Sequence, residues 1–229
     1  MHILELNLGF EQHDTLNPLL WRNDSLIPEV KLALLKIAQD FVEYVDIPFT
    51  IKDIIITGSQ VSYYYTKHSD LDLHLIVDFD TVNCDKEAAE LFDTKRLLYK
   101  KQYDISIYGV PVEVYIEDLN FPAVSATYSL SKGGWKIKPD SQPREINTDE
   151  IIRMSKIWQT VIGKAIESND LETGRKVLKM LRNYRKLGLK HSGEYGIENL
   201  VYKTLRNSKI IENLMKMIGD LHDQSLSIK

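Results

Sequence analysis

Two aspartates separated by a single residue are the clearest chemical feature of this chain. Asp70 and Asp72 lie in the segment Asp-Leu-Asp-Leu-His, in which polar and apolar residues alternate. This alternation is typical of a strand, whose successive side chains point to opposite faces, so both carboxylates project from one face. Two carboxylates about 7 Å apart on one face repel each other unless a cation lies between them. Carboxylate oxygens suit Mg²⁺ or Mn²⁺, so the pattern indicates a divalent-metal site.

A Gly-Ser pair precedes the aspartates. Gly58 and Ser59 follow the β-branched run 53–57, which predicts a short buried strand, and ten residues (60–69) separate them from Asp70. A glycine lets the backbone approach a phosphate closely, and N–H groups and the serine hydroxyl can donate hydrogen bonds to it. A phosphate-binding turn beside paired carboxylates indicates phosphoryl transfer, in which two metal ions about 3.5–4 Å apart serve the attacking and leaving oxygens.

The predicted elements around this pair divide the chain into an α+β half and a helical half. Strand and helix signals are mixed up to Pro139, whereas helical periodicity alone continues beyond Asp149. We therefore predict a mixed sheet with flanking helices in a first domain, 1–143, which includes an N-terminal arm, and a helical domain over 144–229. The helices of the second domain are predicted near 148–168, 170–187, 194–206 and 208–222, with Gly188 and Gly193 as stop signals.

The two short motifs together resemble the signature of the DNA polymerase β-type nucleotidyltransferase superfamily. Its first half corresponds to Ile56-Thr57-Gly58-Ser59 and its second half to Asp70-Leu71-Asp72-Leu73. The resemblance implies a nucleotidyltransferase fold, two Mg²⁺ (or Mn²⁺) ions, and transfer of a nucleoside monophosphate from a nucleoside triphosphate to an acceptor hydroxyl, with release of pyrophosphate. The whole chain also resembles nucleotidyltransferase-like proteins of tailed bacteriophages, through residues 17–21, 63–67 and 193–206.

Members of the superfamily use a third carboxylate on a neighbouring strand. By resemblance, Glu113 takes this place in Pro-Val-Glu-Val-Tyr, where it is flanked by two valines. A charged residue within an apolar strand is costly unless it is solvated or ligated. The superfamily usually has Asp here, so the longer Glu is a departure, and Asp104 is the alternative third ligand. The resemblance thus implies catalytic and metal-binding roles for Asp70, Asp72 and Glu113.

Several basic and polar residues are candidate contacts to the nucleotide, beside Gly58 and Ser59. Residues 172–190 carry seven Lys and Arg against a single acid, which makes a local basic patch. In related two-domain enzymes a basic residue of the helical domain approaches the triphosphate or the acceptor. Each candidate also fits an exposed side chain on a solvated face. The candidates are Lys67, Ser69, Lys132, Arg182 and Arg185.

Composition limits the compartment and the partners. The net charge of the 229 residues is −4, so the chain as a whole is not a strong polyanion binder. No apolar run approaches the length of a membrane span, and the N-terminus lacks the pattern of a signal peptide. The single cysteine, Cys84, suits a reducing compartment. We predict no membrane partner and a cytoplasmic location, in the host cytoplasm if the protein is phage-encoded.

The sequence also fits other functions. The acceptor is open between RNA, protein and a small molecule, and the chain also fits an adenylyltransferase that modifies protein or RNA. A non-catalytic, virion-associated or other binding module with a degraded site is a further possibility. Alternating Asp and Leu alone would fit an edge strand with its acidic face in water, but the preceding Gly-Ser pair favours the metal site.

Overall fold

The computed structural model describes residues 8–82, 88–120, 125–142 and 144–228. Cys84 lies outside these ranges. The chain forms two compact units, of which one comprises Gln12–Gln142 and the other combines residues before Gln12 with those after Gln142. The first unit contains the sheets and the second is helical, which confirms the predicted α+β class with a helical C-terminal part.

The first unit contains eight strands and two α-helices among its described residues. A two-residue hairpin pairs the first two strands, and the other six form one mixed sheet. The elements are β1 (Trp21–Arg22), β2 (Ser25–Leu26), α1 (Pro28–Val45), β3 (Ile51–Thr57), β4 (Leu71–Val77), α2 (Ala88–Gln102), β5 (Ser106–Ile107), β6 (Val110–Asp118), β7 (Thr127–Ser129) and β8 (Gly134–Ile137).

The order of the large sheet is β5-β6-β4-β3-β7-β8. Strands β4 and β6 are parallel, and the other neighbours are antiparallel. A parallel pair requires a crossover connection, and α2 supplies it. In the resulting register, Asp72 of β4 lies between Thr57 of β3 and Glu113 of β6.

The core of this unit lies on one face of the sheet. Leu71, Leu73 and Leu75 of β4 are fully buried there. Helix α1 contributes Leu34 and Phe41 to the same core, because its apolar residues recur every three or four positions. Because successive side chains of a strand point to opposite faces, the residues of β4 between these leucines lie on the other face of the sheet.

The second unit consists of four α-helices around its own apolar core. They are α3 (Thr148–Ser168), α4 (Leu171–Ser192), α5 (Ile197–Asn207) and α6 (Ile210–Leu226). The side chain of Asn147 caps α3, and that of Asp170 caps α4. Fully buried residues from all four helices form the core: Ile162, Leu181, Val201 and Leu214.

One predicted helix boundary was wrong. Helix α4 continues past Gly188 and ends at Gly193, which has a positive φ of 69°. Gly188 is buried instead, and a β-carbon there would overlap the side chain of Glu198. Residues 8–11 belong to the helical unit rather than to the first domain, because Gly9 N donates to Thr204 Oγ1 at 2.9 Å.

No described helix has the length and apolar character that crossing a bilayer requires.

Candidate metal and phosphate site

Three carboxylates converge at one end of the parallel strand pair. Asp70 immediately precedes β4, Asp72 lies within it, and Glu113 is the partner of Asp72 on β6. One oxygen of each carboxylate lies within 4.8 Å of the others, and all three side chains are half-buried. This triad is close enough to bind a metal ion. Local alternation positions the two aspartates, and the parallel register adds the glutamate.

Gly58 forms the wall of the site on the side of β3. Its backbone has φ 84° and ψ −169°, a conformation that is essentially restricted to glycine. A β-carbon at this position would overlap Oδ2 of Asp72. The missing side chain therefore leaves room for the Asp72 carboxylate beside the turn that ends β3. Ser59 opens the single turn of 3₁₀-helix that follows, Ser59–Val61.

Gln60 ties this turn to the segment that carries Asp70. Its side chain is 1% exposed. Its Nε2 donates to the carbonyl of Ser69 at 2.8 Å, and its Oε1 accepts from Asn17 at 2.8 Å. Trp21 Nε1 donates to the Gln60 carbonyl at 3.0 Å. The N-terminal arm thus fixes the spacing between the Gly-Ser turn and the first aspartate, a role that sequence analysis did not assign to Gln60.

Hydrogen bonds surround Glu113. The Lys100 ammonium donates to Oε1, and the Tyr115 hydroxyl donates to Oε2 at 2.7 Å. Burial raises the pKa of Glu113, but these two donors and a hydrogen bond with Asp70 outweigh burial, so the pKa lies below its ordinary value.

Tyr115 is itself held in a defined position. Its ring stacks on His74 with centroids 4.6 Å apart, and the Arg96 guanidinium lies 4.8 Å from its centroid. Burial raises the pKa of the Tyr115 hydroxyl, and the negative charges of Asp72 and Glu113 raise it further. The hydroxyl therefore remains a proton donor to Glu113 at neutral pH. His74 lies two residues after Asp72 in β4, so it shares the strand face of the two aspartates.

A cavity of about 290 Å³ adjoins the triad between α2 and β6. Asp70 and Glu113 line one part of it, and Lys100 and Arg96 of α2 line another. Asp104 also lines this cavity but is not a member of the triad. The cavity is large enough for a small substituent or a sugar-sized group next to the carboxylates, and both acidic and basic groups border it.

The other predicted nucleotide contacts lie in different settings. Ser69 is buried, and its hydroxyl accepts from Thr66 N at 3.0 Å, so it stabilises the turn before Asp70. Lys67 and Lys132 are exposed, and neither lines the cavity. Arg182 and Arg185 belong to α4 of the helical unit.

The residues that support the triad could not be identified from the sequence. Lys100 contacts Glu113 from helix α2, and Tyr115 contacts it from the same face of β6. Neither residue belongs to a recognisable motif. The spacing of Tyr115 two residues after Glu113 was the one available signal, because alternate residues of a strand share a face. Lys100 had no such signal, since its contact depends on how α2 packs.

Comparison of the chain with protein-family models, with curated proteins and with solved structures gave no match in any of the three.

Proposed function

We propose that this protein is a metal-dependent nucleotidyltransferase, which transfers a nucleoside monophosphate from a nucleoside triphosphate to an acceptor hydroxyl and releases pyrophosphate. The observation that carries the proposal is the convergence of Asp70, Asp72 and Glu113 within 4.8 Å, directly beside the glycine turn at Gly58. The same arrangement motivates assignment to the polymerase β-type superfamily, which the sequence motifs resemble.

The residues of the site fit Mg²⁺ or Mn²⁺. The three ligands are hard carboxylate oxygens, and they include no sulfur or imidazole donor. Their mutual repulsion is partly relieved in this structure by the Lys100 ammonium, which donates to Glu113. A divalent cation would relieve it more completely, because it brings two charges to the centre of the triad.

Each group then has a defined task. Asp70, Asp72 and Glu113 would hold two ions, which when bound polarise the α-phosphate and neutralise charge on the leaving pyrophosphate. Backbone N–H groups of Gly58 and Ser59 would donate to the β- and γ-phosphates. The acceptor oxygen forms a bond to the α-phosphorus as the bond to pyrophosphate breaks, and a carboxylate of the triad accepts the acceptor's proton.

The remaining assignments are part of the same proposal. Lys67, Lys132, Arg182 and Arg185 are candidate contacts to the phosphates or the acceptor. One observation favours a second function, that of a non-catalytic binding module: the Lys100 ammonium already neutralises Glu113, as it would in a site that no longer binds metal. The two functions make different predictions for metal binding and turnover.

The test combines calorimetry with a turnover assay. Mg²⁺ and Mn²⁺ are titrated into the protein, then each of the four nucleoside triphosphates is titrated in the presence of metal, and pyrophosphate release is measured with RNA, protein and small-molecule acceptors. Asp70→Asn and Asp72→Asn should abolish metal binding and lower turnover by about a thousandfold or more. Asp80→Asn, which changes an exposed aspartate just after β4, is the matched control.

The outcomes separate the candidates. Metal-dependent pyrophosphate release that is lost in Asp72→Asn but kept in Asp80→Asn supports the transferase. Nucleotide binding without turnover on any acceptor supports the non-catalytic module. If the wild-type protein binds neither divalent metal nor any of the four nucleotides, the nucleotidyltransferase proposal is wrong.

A further inference from the structure

Helix α4 of the helical unit carries a continuous row of positive charges on one face. The row consists of residues at successive spacings of four, three, four and four, and such spacings bring side chains to one side of a helix. All five side chains are exposed. From the first to the last, the helix rises about 22 Å. The basic row is Arg175, Lys179, Arg182, Lys186 and Lys190.

Positive charges dominate α4. Glu172 is the sole acid in α4. Within the described part of the chain, no carboxylate lies at ion-pair distance from Lys179, Arg182, Lys186 or Lys190. Elsewhere in the same unit, some exposed cations are paired along their helices, as Arg153 is with Glu150 and Lys216 with Asp220.

Unpaired like charges at these spacings destabilise the helix. Each such pair of like charges destabilises an isolated helix, and does so most at low salt concentration. An ordinary solvated face mixes both signs of charge, which avoids this cost. An unmixed row of this length therefore points to a partner that supplies the negative charge.

A shallow cavity of about 390 Å³ lies along the second half of the row. Its lining comprises Arg182, Arg185, Lys186, Leu189 and Tyr202. The Arg185 guanidinium is fixed at this place, because its Nε donates to Asn199 Oδ1 at 3.0 Å and the group lies 4.6 Å from the centroid of the Tyr202 ring. The cavity thus offers an oriented guanidinium and an aromatic ring in addition to flexible cations.

We propose that this face of α4 binds the phosphate backbone of a nucleic acid strand. On each strand of a duplex the phosphates are spaced about 3.4 Å apart along the helix axis, so a row of about 22 Å along that axis spans about six of them. Guanidinium groups bind phosphate oxygens in a two-pronged manner, and an aromatic ring next to them can stack on a base of an unpaired strand. The binding surface is independent of the proposed catalytic function. If the bound strand is also the acceptor, that role rests on the proposed nucleotidyltransferase function.

The test measures binding without catalysis. The full-length protein is titrated into fluorescently labelled single strands and duplexes of RNA and of DNA, about 20 nucleotides long. Anisotropy is followed from about 50 to about 200 mM salt without divalent metal. Arg182→Gln/Lys186→Gln should weaken binding at least about tenfold at low salt and reduce the salt dependence by about two phosphate contacts.

The matched control removes the same charge from another helix of the same unit. Lys156→Gln/Lys164→Gln changes two exposed lysines of α3 and should alter affinity less than about twofold. Circular dichroism verifies that both double variants fold. Affinity for RNA above that for DNA would indicate recognition of the 2′-hydroxyl, and equal affinities would indicate the backbone alone; both support the proposal.

Two results would overturn it. One is the absence of salt-dependent binding to any of the four nucleic acids, and the other is an equal loss of affinity in the α4 and α3 double variants. The catalytic proposal is tested separately by Asp72→Asn, which should bind nucleic acid like the wild type in metal-free buffer. A protein without transferase activity should thus still bind nucleic acid through α4.

Discussion

The carboxylate of Asp72 occupies the space in which a β-carbon of residue 58 would lie, and Gly58 has no β-carbon. The two residues lie on neighbouring antiparallel strands, where Thr57 pairs with Asp72 and Gly58 begins the turn. The positive φ of Gly58 and its missing side chain serve the same purpose, because the turn must pass close to a charged group without displacing it.

A side chain at position 58 should therefore damage the site directly. Gly58→Ala forces a β-carbon against Oδ2 of Asp72 and strains a backbone conformation that costs a non-glycine residue about 1–3 kcal/mol. We expect the affinity for Mn²⁺, measured by calorimetry, to fall at least about tenfold. Urea melts should show that the free energy of unfolding falls by about 1–3 kcal/mol, the cost of the strained backbone. In the control Gly134→Ala, the new β-carbon meets no atom within 4 Å, and metal affinity should be unchanged.

Replacement of Lys100 should affect metal binding in the opposite direction. Its ammonium donates to Oε1 of Glu113, an oxygen that the proposed metal would use. Lys100→Met removes this competing cation, so we expect Mn²⁺ to bind about three- to tenfold more tightly, a gain of about 0.7–1.4 kcal/mol. Lys101→Met, at the exposed neighbouring position, should not change the affinity. Weaker binding in Lys100→Met would mean that the lysine supports the metal site rather than competes with it.

Sequence predicts those parts of the site that depend on local geometry. Alternation along a strand is sufficient to place Asp70 and Asp72 on one face. The choice of Glu113 over Asp104 depends on the parallel register of β4 and β6, which is set by the packing of α2 and is not visible in either strand alone. The contact of Lys100 with Glu113 depends on the same packing.

Helix boundaries show the same division between local and long-range effects. Gly193 ends α4 through its own backbone conformation, a local property that the sequence signals. Gly188 gives the same signal but continues the helix, because its small size accommodates Glu198 of α5. Only the packing partner distinguishes these two glycines.

The N-cap of α4 should stabilise the helix that presents the basic row. Asp170 Oδ2 accepts from Thr173 N at 2.7 Å, and this bond holds the pKa of Asp170 below its ordinary value. Asp170→Ala should lower the midpoint of urea unfolding at pH 7, because a backbone N–H loses its partner. Asp170→Asn should recover most of this loss. A similar loss in both variants would show that charge, rather than the hydrogen bond, stabilises the helix.

Tyr99 should make the protein lose stability at alkaline pH. Burial raises the pKa of its hydroxyl above the ordinary value of 10.0, and the hydrogen bond that it donates to Asp40 at 2.6 Å raises the pKa further. Above about pH 10 the unfolded chain releases this proton while the folded chain retains it, so the free energy of unfolding falls as pH rises, by at most about 1.4 kcal/mol per pH unit. Below that pH both states are protonated and the effect vanishes.

The measurement compares the pH dependence of two proteins. Urea melts at about pH 8 and about pH 11 give the alkaline loss of stability for the wild type and for Tyr99→Phe, and we expect the variant to lose about 1 kcal/mol less. The variant lacks the hydrogen bond to Asp40 at both pH values, so this constant difference cancels in the comparison. Other tyrosines and lysines titrate in both proteins and cancel as well. Equal alkaline losses in the two proteins would show that Tyr99 ionises as readily in the folded chain as in the unfolded one.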